Sequence, residues 1–200
     1  MSVAAALLAA GHGTRFAGPT AKPLALLRGR SLVAWALDAV VQSGLHPVVV
    51  VVGDHTADAV AEIAPATVHI VLARDARLGI AHSLRAALDA LEARVEVTAA
   101  CVGLADQPGI GAEAYRRLAR AHEQEGTELA VATYDGERRN PALLGRSQWP
   151  AARALEGDAG ARVLMDEQVT TVDCTGTGDP RDVDTLDDLR ALEEEMTVED

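Results

Sequence analysis

Residues Val3–Arg15 read VAAALLAAGHGTR, an apolar run followed at once by a glycine-containing loop. Its first half, Val3–Leu8, is a short apolar run of the kind that forms a buried β-strand. Two glycines, Gly11 and Gly13, follow it, and no helical pattern resumes until well past Pro23. Because strand-to-helix turns usually take about 2–6 residues, this loop is long enough to surround a ligand. Its glycines let the backbone approach that ligand closely and point N–H groups at anionic oxygens.

Apolar runs of strand length alternate with segments of helical period along the rest of the chain. This alternation predicts an α/β fold, Rossmann-like, with a mostly parallel mixed sheet and helices on both faces. Ser31 and Thr56 are expected to cap helices, and Asp135–Gly136 is a turn signal before an antiparallel strand. The expected strands are Val3–Leu8, Pro47–Val52, Val68–Leu72, Val97–Leu104, Glu128–Thr133, Pro141–Leu144 and Val169–Asp173; the expected helices are Leu32–Ser43, Thr56–Ala64, Ala81–Ala93, Ala112–Glu125, Gln148–Leu155, Ala159–Glu167 and Leu186–Glu195.

Length and composition limit the class of protein. At about 150 residues per domain, the 200 residues predict one domain over 1–200, with a frayed tail at about 195–200. The net charge of −12 argues against a nucleic-acid partner and against a polybasic membrane-surface protein. Two cysteines make no disulfide framework, and no apolar run is long enough to span a bilayer. We therefore expect a reduced, cytoplasmic protein.

Carboxylates follow the expected strands at the edge where ligands bind in such sheets. Asp106 comes just after Val97–Leu104, and Asp182 and Asp184 precede the last helix. Carboxylate oxygens are the donors that Mg²⁺ prefers, so Asp106 with Asp184 predicts a metal site. Each aspartate also suits a helix N-cap or turn, and the choice between Asp182 and Asp184 as second ligand stays open.

Lys22 is the only lysine among 18 basic residues. A lysine ammonium is a mobile point charge, whereas an arginine is a planar fork. We therefore expect Lys22 to meet the α- and β-phosphates of a nucleotide and Arg15 to meet the leaving pyrophosphate. Gly79 and Ser83 open a helix, where they contact a base or ribose or serve only to cap the helix.

Several motifs then occur in a fixed order. The set resembles the nucleotidyltransferases of glycosyltransferase-A-like fold, and within them the molybdenum cofactor cytidylyltransferases and the related molybdopterin-guanine dinucleotide synthases. The motifs are Ala9–Arg15 with Lys22-Pro23-Leu24, Leu78–Leu84, Leu104–Pro108, Arg139–Leu144, Gly157–Arg162 and Asp182–Thr185. The chain departs from the family pattern at Phe16-Ala17-Gly18 and at Ala21, which leaves the base and the acceptor open.

The resemblance implies transfer of CMP from CTP to the terminal phosphate of molybdopterin, with release of pyrophosphate. It implies Mg²⁺, or Mn²⁺, on Asp106 and Asp184, and Ala10 in the loop favours CTP. A molybdoenzyme is the implied recipient. Guanylyl transfer from GTP, transfer to a sugar 1-phosphate, and a non-catalytic molybdopterin chaperone remain alternatives. By resemblance the catalytic residues are Arg15, Lys22 and Asp106, and the nucleotide-binding residues are Ala9, Ala10, Gly11, His12, Gly13, Arg15, Lys22, Gly79, Ser83 and Asp106.

Overall fold

A seven-stranded mixed sheet forms the centre of the molecule, in the order β5-β4-β1-β6-β8-β7-β9. The structure, a computed structural model, describes residues 2–11, 13, 15–166 and 169–198, with only the backbone of 197 and 198. Strand β8 runs antiparallel to both β6 and β7, and the other pairings in this sheet are parallel. The strands are β1 Ser2–Ala9, β4 Val48–Val52, β5 Val68–Leu72, β6 Val97–Leu104, β7 Leu129–Tyr134, β8 Glu137–Gly145 and β9 Thr170–Asp173, with a separate hairpin of β2 Leu26–Leu27 and β3 Arg30–Ser31.

Helices cover both faces of this sheet, which confirms the predicted fold class. Strand β1 pairs with β4 and β6 and sends alternate side chains into two cores, Leu7 into one and Leu8 into the other. Helices α1, α2 and α4 contribute to the Leu7 core, while α3 and α5 contribute to the Leu8 core. The helices are α1 Leu32–Gln42, α2 Ala57–Ile63, α3 Ile80–Glu92, α4 Ala112–Glu125, α5 Trp149–Arg153 and α6 Leu186–Val198.

A third, smaller core joins the first loop to the end of the chain. Phe16 from the loop and Leu27 from β2 pack with Val183 and with Leu189 of α6. These contacts link segments that lie more than 150 residues apart in the sequence. They hold the C-terminal segment against the loop that follows β1.

Two expectations about local structure are wrong. The segment Ala159–Glu167 is not an α-helix: it forms only a 3₁₀ turn at Ala161–Leu164, after which the backbone leaves the helical region at Met165 (φ −92°, ψ 82°), and residues 167 and 168 lie outside the described chain. Thr56 stands at the start of α2, but its hydroxyl donates to the Gly53 carbonyl instead of capping the helix.

The long loop after β1 contains a short helical turn and a hairpin before α1 begins. A 3₁₀ turn at Lys22–Leu24, with Pro23 at its start, comes first, and the hairpin β2–β3 follows it. Proline favours this position because its fixed φ suits the first turn of a helix. The turn brings Lys22 back towards the sheet.

Other boundaries agree with the expectations or extend them. The Asp135–Gly136 turn joins β7 to β8 with both residues at positive φ, 51° and 82°, as a type I′ hairpin requires. Helix α6 extends beyond its expected end to Val198, and α5 is shorter than expected. No helix in the described part of the chain has the length and apolarity that a bilayer crossing needs.

Ser31 caps α1 as expected: its Oγ accepts a hydrogen bond from the Ala34 N–H at 3.3 Å. Replacing a capping serine by alanine typically costs about 1 kcal/mol. For Ser31→Ala we therefore expect a Tm lower by roughly 2–4 °C in thermal denaturation followed by circular dichroism. Ser31→Thr keeps the acceptor and is expected to melt near the wild-type temperature; equal Tm values for all three proteins would show that the cap contributes nothing.

Candidate active site

A cleft of about 580 Å³ opens at the carboxyl ends of β1 and β6. Sequence analysis expected ligand binding at this edge of the sheet. The cleft brings together residues from five distant segments of the chain. The predicted site residues that line it are Ala9, Gly11, Gly13, Arg15, Lys22, Gly79, Ser83, Asp106 and Asp184.

Lys22 lies between two carboxylates in this cleft. Its ammonium donates to Asp106 Oδ2 at 2.7 Å and to Asp184 Oδ1 at 2.8 Å, and the side chain is 9% exposed. Burial by itself lowers the pKa of Lys22, but the two carboxylates outweigh it and hold that pKa above its ordinary value. Lys22 is therefore cationic at neutral pH.

Arg15 contacts the same cluster from the solvent side. Its guanidinium lies 3.0 Å from Asp184 Oδ2, and its side chain is 76% exposed. An ion pair as exposed as this contributes little to stability. Arg15 is thus free to turn towards a ligand.

Gly13 makes room for Lys22. Its φ is +56°, and a Cβ at this position would lie 2.6 Å from the Lys22 Cβ. Any other residue would have to move the lysine stem or the loop. The glycine that sequence analysis assigned to phosphate binding therefore also sets the position of Lys22.

Asp106 presents an unused oxygen. Its Oδ2 binds Lys22, while its Oδ1 is buried and has no hydrogen-bond partner in the described part of the chain. A buried carboxylate oxygen without a partner costs free energy unless a donor or a cation reaches it. This oxygen is the feature of the site that fits a metal ion.

Asp184, not Asp182, faces Lys22. Asp182 lines a neighbouring compartment, where partial desolvation and the negative charges of Asp106 and Asp184 raise its pKa. Asp184 is not the N-cap of α6 either. The Thr185 hydroxyl accepts from the Asp188 N–H at 3.1 Å, and Asp188 accepts from the Thr185 N–H at 2.7 Å. This reciprocal capping box leaves the Asp184 carboxylate to the cleft.

A buried amide relay sets the distance between Asp106 and Asp184. Gln107 donates from its side chain to the Pro180 carbonyl at 3.0 Å and accepts from the Asn140 amide at 2.9 Å. The Val183 N–H donates to the Asp106 carbonyl at 2.8 Å. Sequence analysis did not give Gln107 a role. A glutamine directly after the strand-end carboxylate was the available signal.

Gly79 and Ser83 form the opposite wall of the cleft. Gly79 has φ +118°, and a Cβ there would lie 2.1 Å from the Gly157 carbonyl oxygen. That carbonyl accepts from the Ala81 N–H at 3.1 Å and so satisfies one free donor at the start of α3. The expected helix-opening role of Gly79 is therefore present, and Ser83 is buried beside it.

One predicted nucleotide-binding residue, Ala10, is absent from the cleft surface. Ala10 is fully buried in the core beneath the loop and does not line the cleft. Its side chain therefore has no direct access to a base from this position. His12 lies outside the described residues.

The described cleft lining is electrically neutral. Three basic side chains, Arg15, Lys22 and Arg77, face three aspartates, Asp106, Asp158 and Asp184. A triphosphate in this cleft would therefore need an additional cation. No group of three or more His, Cys, Asp or Glu in the described chain forms a preformed metal cage. Two carboxylates still suit Mg²⁺, which commonly keeps several waters and takes substrate phosphates as ligands.

A second compartment of about 480 Å³ adjoins the cleft and shares Leu8, Ile80, Leu104 and Asp158 with it. Arg138 donates to the Asp166 carbonyl at 2.9 Å, so its guanidinium holds the wall of the compartment. Arg162 makes no side-chain hydrogen bond or ion pair with any described residue. The compartment thus combines an apolar floor with a free cation at the rim; its floor and rim include Leu8, Val102, Leu104, Val131, Asn140, Arg162 and Asp182.

Gln107→Leu tests the amide relay. The leucine would leave the Asn140 amide and the Pro180 carbonyl without a partner, each at a cost of about 1–3 kcal/mol. We expect a clear loss in the free energy of unfolding in urea denaturation. Gln124→Leu, an exposed glutamine of α4, is the matched control and should change stability by less than about 0.5 kcal/mol. A similar effect of both variants would contradict the structural role of Gln107.

Comparison with known proteins identifies the family. Residues 5–172 match the MobA-like NTP transferase domain. A nicotine blue oxidoreductase of Paenarthrobacter nicotinovorans is 31% identical over 199 residues, covering 95% of this chain and 96% of that protein. The bifunctional protein GlmU of Geobacter metallireducens is 36% identical over 148 residues, 72% of this chain but 29% of GlmU.

Solved structures agree with this result. Rv0371c of Mycobacterium tuberculosis is 30% identical, covers 97% of this chain and 98% of its own, and superposes with a TM-score of 0.82. The same protein in complex with manganese is 28% identical over 97% of this chain and 99% of its own, with a TM-score of 0.77. The resemblance drawn from the ordered motifs is confirmed at the level of the family: the chain belongs to the MobA-like NTP transferase domains.

Proposed function

We propose that the protein transfers CMP from CTP to the terminal phosphate of a molybdopterin-type acceptor and releases pyrophosphate. The observation that supports this most directly is the grouping of Arg15, Lys22, Asp106 and Asp184 at the mouth of a glycine-lined cleft. Cations and carboxylates around a glycine loop are the recurring parts of sites for phosphoryl and nucleotidyl transfer.

The cleft at the carboxyl ends of β1 and β6 suits the triphosphate. Gly11 leaves open space where a side chain would stand, and Arg15, Lys22 and Arg77 supply positive charge. In this proposal Lys22 binds the α- and β-phosphates and Arg15 binds the pyrophosphate as it leaves. Both groups would stabilise negative charge that increases in the transition state.

Asp106 and Asp184 would hold the metal ion. The unpartnered Asp106 Oδ1 and the neutral cleft lining both support a divalent cation here. When bound, such an ion neutralises phosphate charge and polarises the phosphorus–oxygen bonds. The manganese complex of Rv0371c shows that this relative binds a divalent metal, and we propose Mg²⁺ or Mn²⁺ for this chain.

The chemistry needs no strong general base. The acceptor is a phosphate monoester whose second pKa is about 6, so one of its oxygens is unprotonated at neutral pH. That oxygen attacks the α-phosphorus, the bond from the α-phosphorus to the bridging oxygen breaks, and pyrophosphate leaves with the electron pair. The residues of the chain orient the two anions and hold the acceptor oxygen in line with the leaving group.

The second compartment suits the acceptor. Leu8 and Leu104 continue the floor of the nucleotide cleft into it, so a bound acceptor and a bound nucleotide would lie side by side. Its apolar floor fits a flat heterocycle such as a pterin, and Arg162 fits the terminal phosphate. This shape favours a molybdopterin-type acceptor over a small polar sugar 1-phosphate, which the GlmU relatives suggest.

Pyrophosphate release tests the function. With Mg²⁺ and Mo-molybdopterin, we expect release from CTP and not from GTP, UTP or ATP. Release from GTP alone would correct the base, and release from UTP only with a sugar 1-phosphate would replace the acceptor. The nicotine blue oxidoreductase relative adds one further assay, oxidation or reduction of nicotine blue. Turnover there without pyrophosphate release would overturn the proposal, and tight pterin binding without either activity would favour a chaperone.

Asp106→Asn tests the metal carboxylate within this assay. Loss of one preorganised charge is expected to lower kcat by about 10²–10³ while the circular dichroism melt stays close to wild type. Asp187→Asn removes a carboxylate of α6 that is 90% exposed, and it should leave kcat unchanged. Near-normal turnover of Asp106→Asn would remove Asp106 from the mechanism.

Arg162→Gln tests the acceptor compartment. We expect a KM for the acceptor roughly tenfold higher or more, as loss of a charged contact implies, with the KM for CTP unchanged. Arg190→Gln, on the exposed surface of α6, is the matched control. An unchanged acceptor KM in Arg162→Gln, or an equal change in the KM for CTP, would place the acceptor elsewhere.

A further inference from the structure

We infer that Lys22 takes the place of the divalent cation in the nucleotide-free protein, and that metal binding must displace its ammonium from between Asp106 and Asp184. The displaced ammonium then becomes the group that meets the triphosphate. This inference rests on the proposed function only for the presence of a divalent cation at these carboxylates.

The contacts of Lys22 support this competition. Its ammonium binds one oxygen of Asp106 at 2.7 Å and one of Asp184 at 2.8 Å. It thus bridges the two carboxylates. Both Asp184 oxygens already have cationic partners, so a metal held by both carboxylates would compete for Asp184, and it would lie beside the ammonium even where it uses the free Asp106 Oδ1. Two cations that share one pair of carboxylates at such short range repel each other strongly. One of them has to leave.

The path of the lysine stem directs this displacement. Lys22 Cβ and Cδ would lie 2.6 and 3.0 Å from a Cβ at Gly13, so the stem runs directly along the first loop. A released ammonium therefore stays near Gly13, on the side of the cleft where we place the triphosphate. A lysine can make this move because its charge is compact and its four-carbon stem is flexible.

This role explains why position 22 carries the only lysine of a chain with 17 arginines. A guanidinium presents a rigid planar fork that pairs with a carboxylate through two parallel hydrogen bonds. A guanidinium at position 22 would be harder to displace from the carboxylates. The space it left would also be larger than a single metal ion needs. Arg15 differs in this respect, because among the described residues its ion pair is with Asp184 alone and lies on the exposed side.

Metal and nucleotide are then coupled through Lys22. Without nucleotide, metal binding breaks the two ion pairs of Lys22, and the free energy lost in this way weakens it. With nucleotide, the phosphates offer the ammonium new partners, and the metal binds more tightly. By linkage the metal raises the affinity for nucleotide by the same factor.

Binding of Mn²⁺ alone to the full chain tests the inference, with the free ion followed by electron paramagnetic resonance and no nucleotide present. We expect Lys22→Met to bind Mn²⁺ roughly 10- to 100-fold more tightly than wild type, the factor that one charged contact implies. Arg15→Met is the matched control: it removes one positive charge beside Asp184 but leaves Lys22 in place. We expect it to bind within about threefold of wild type, as an exposed ion pair implies.

Two results of this titration would overturn the inference. An equal gain in Lys22→Met and Arg15→Met would show a general effect of charge. Unchanged or weaker binding in Lys22→Met, including no binding by any of the three proteins, would show that the ammonium does not occupy a metal position. Because the titration contains neither CTP nor acceptor, its failure is separate from a failure of pyrophosphate release.

Chemical labelling of wild-type protein gives a second readout that does not depend on a folded variant. Lys22 is the only lysine, so acylation of a lysine side chain is read at one position. The terminal α-amine serves as the internal reference. The buried, paired ammonium should react slowly in chelator and several-fold faster in saturating Mn²⁺. A Lys22 rate that Mn²⁺ leaves unchanged relative to the α-amine would contradict displacement.

Discussion

The ion pairs of Lys22 with Asp106 and Asp184 are the contacts on which the rest of the site depends. The three residues come from the loop after β1, the end of β6 and the segment before α6, and their charged groups meet within 2.8 Å. Two partly buried carboxylates this close to each other require a cation between them, because their mutual repulsion is weakly screened there. The site is therefore built around a position for positive charge, whichever cation fills it.

The surrounding structure keeps that position fixed. The Phe16–Val183 core holds the first loop against the C-terminal segment, and the Gln107 relay ties the same segment to the end of β6. Both the apolar core and the Gln107 hydrogen bond are made by uncharged groups. They pre-position the carboxylates before any ligand binds, so little reorganisation is left for the reaction itself. The capping box of Thr185 and Asp188 adds to this by leaving Asp184 free to face the cleft.

Sequence reasoning predicted most of the fold correctly, and the structure gathers most of the predicted site residues in one cleft; the errors have local physical causes. It located the sheet strands because strands buried on both faces read as continuous apolar runs, as in Val48–Val52. It failed at Ala159–Glu167, where the backbone leaves the helical region at Met165 after a single 3₁₀ turn. It selected Ala10 from a motif, and the structure places that side chain in the core instead of the cleft. It passed over Gln107, since a buried amide relay depends on three segments that no single stretch of sequence contains.

The sequence by itself determined the layered α/β architecture, the glycine loop and the acidic strand ends. These follow from periodicity and from residue chemistry, which are local properties of the chain. Only the tertiary structure decided that Asp184 faces Lys22 while Asp182 faces the neighbouring compartment. Only the tertiary structure showed that the lysine lies between the two carboxylates. Both depend on bringing segments 84 and 162 residues apart to hydrogen-bonding distance, and that proximity is a property of the packed chain.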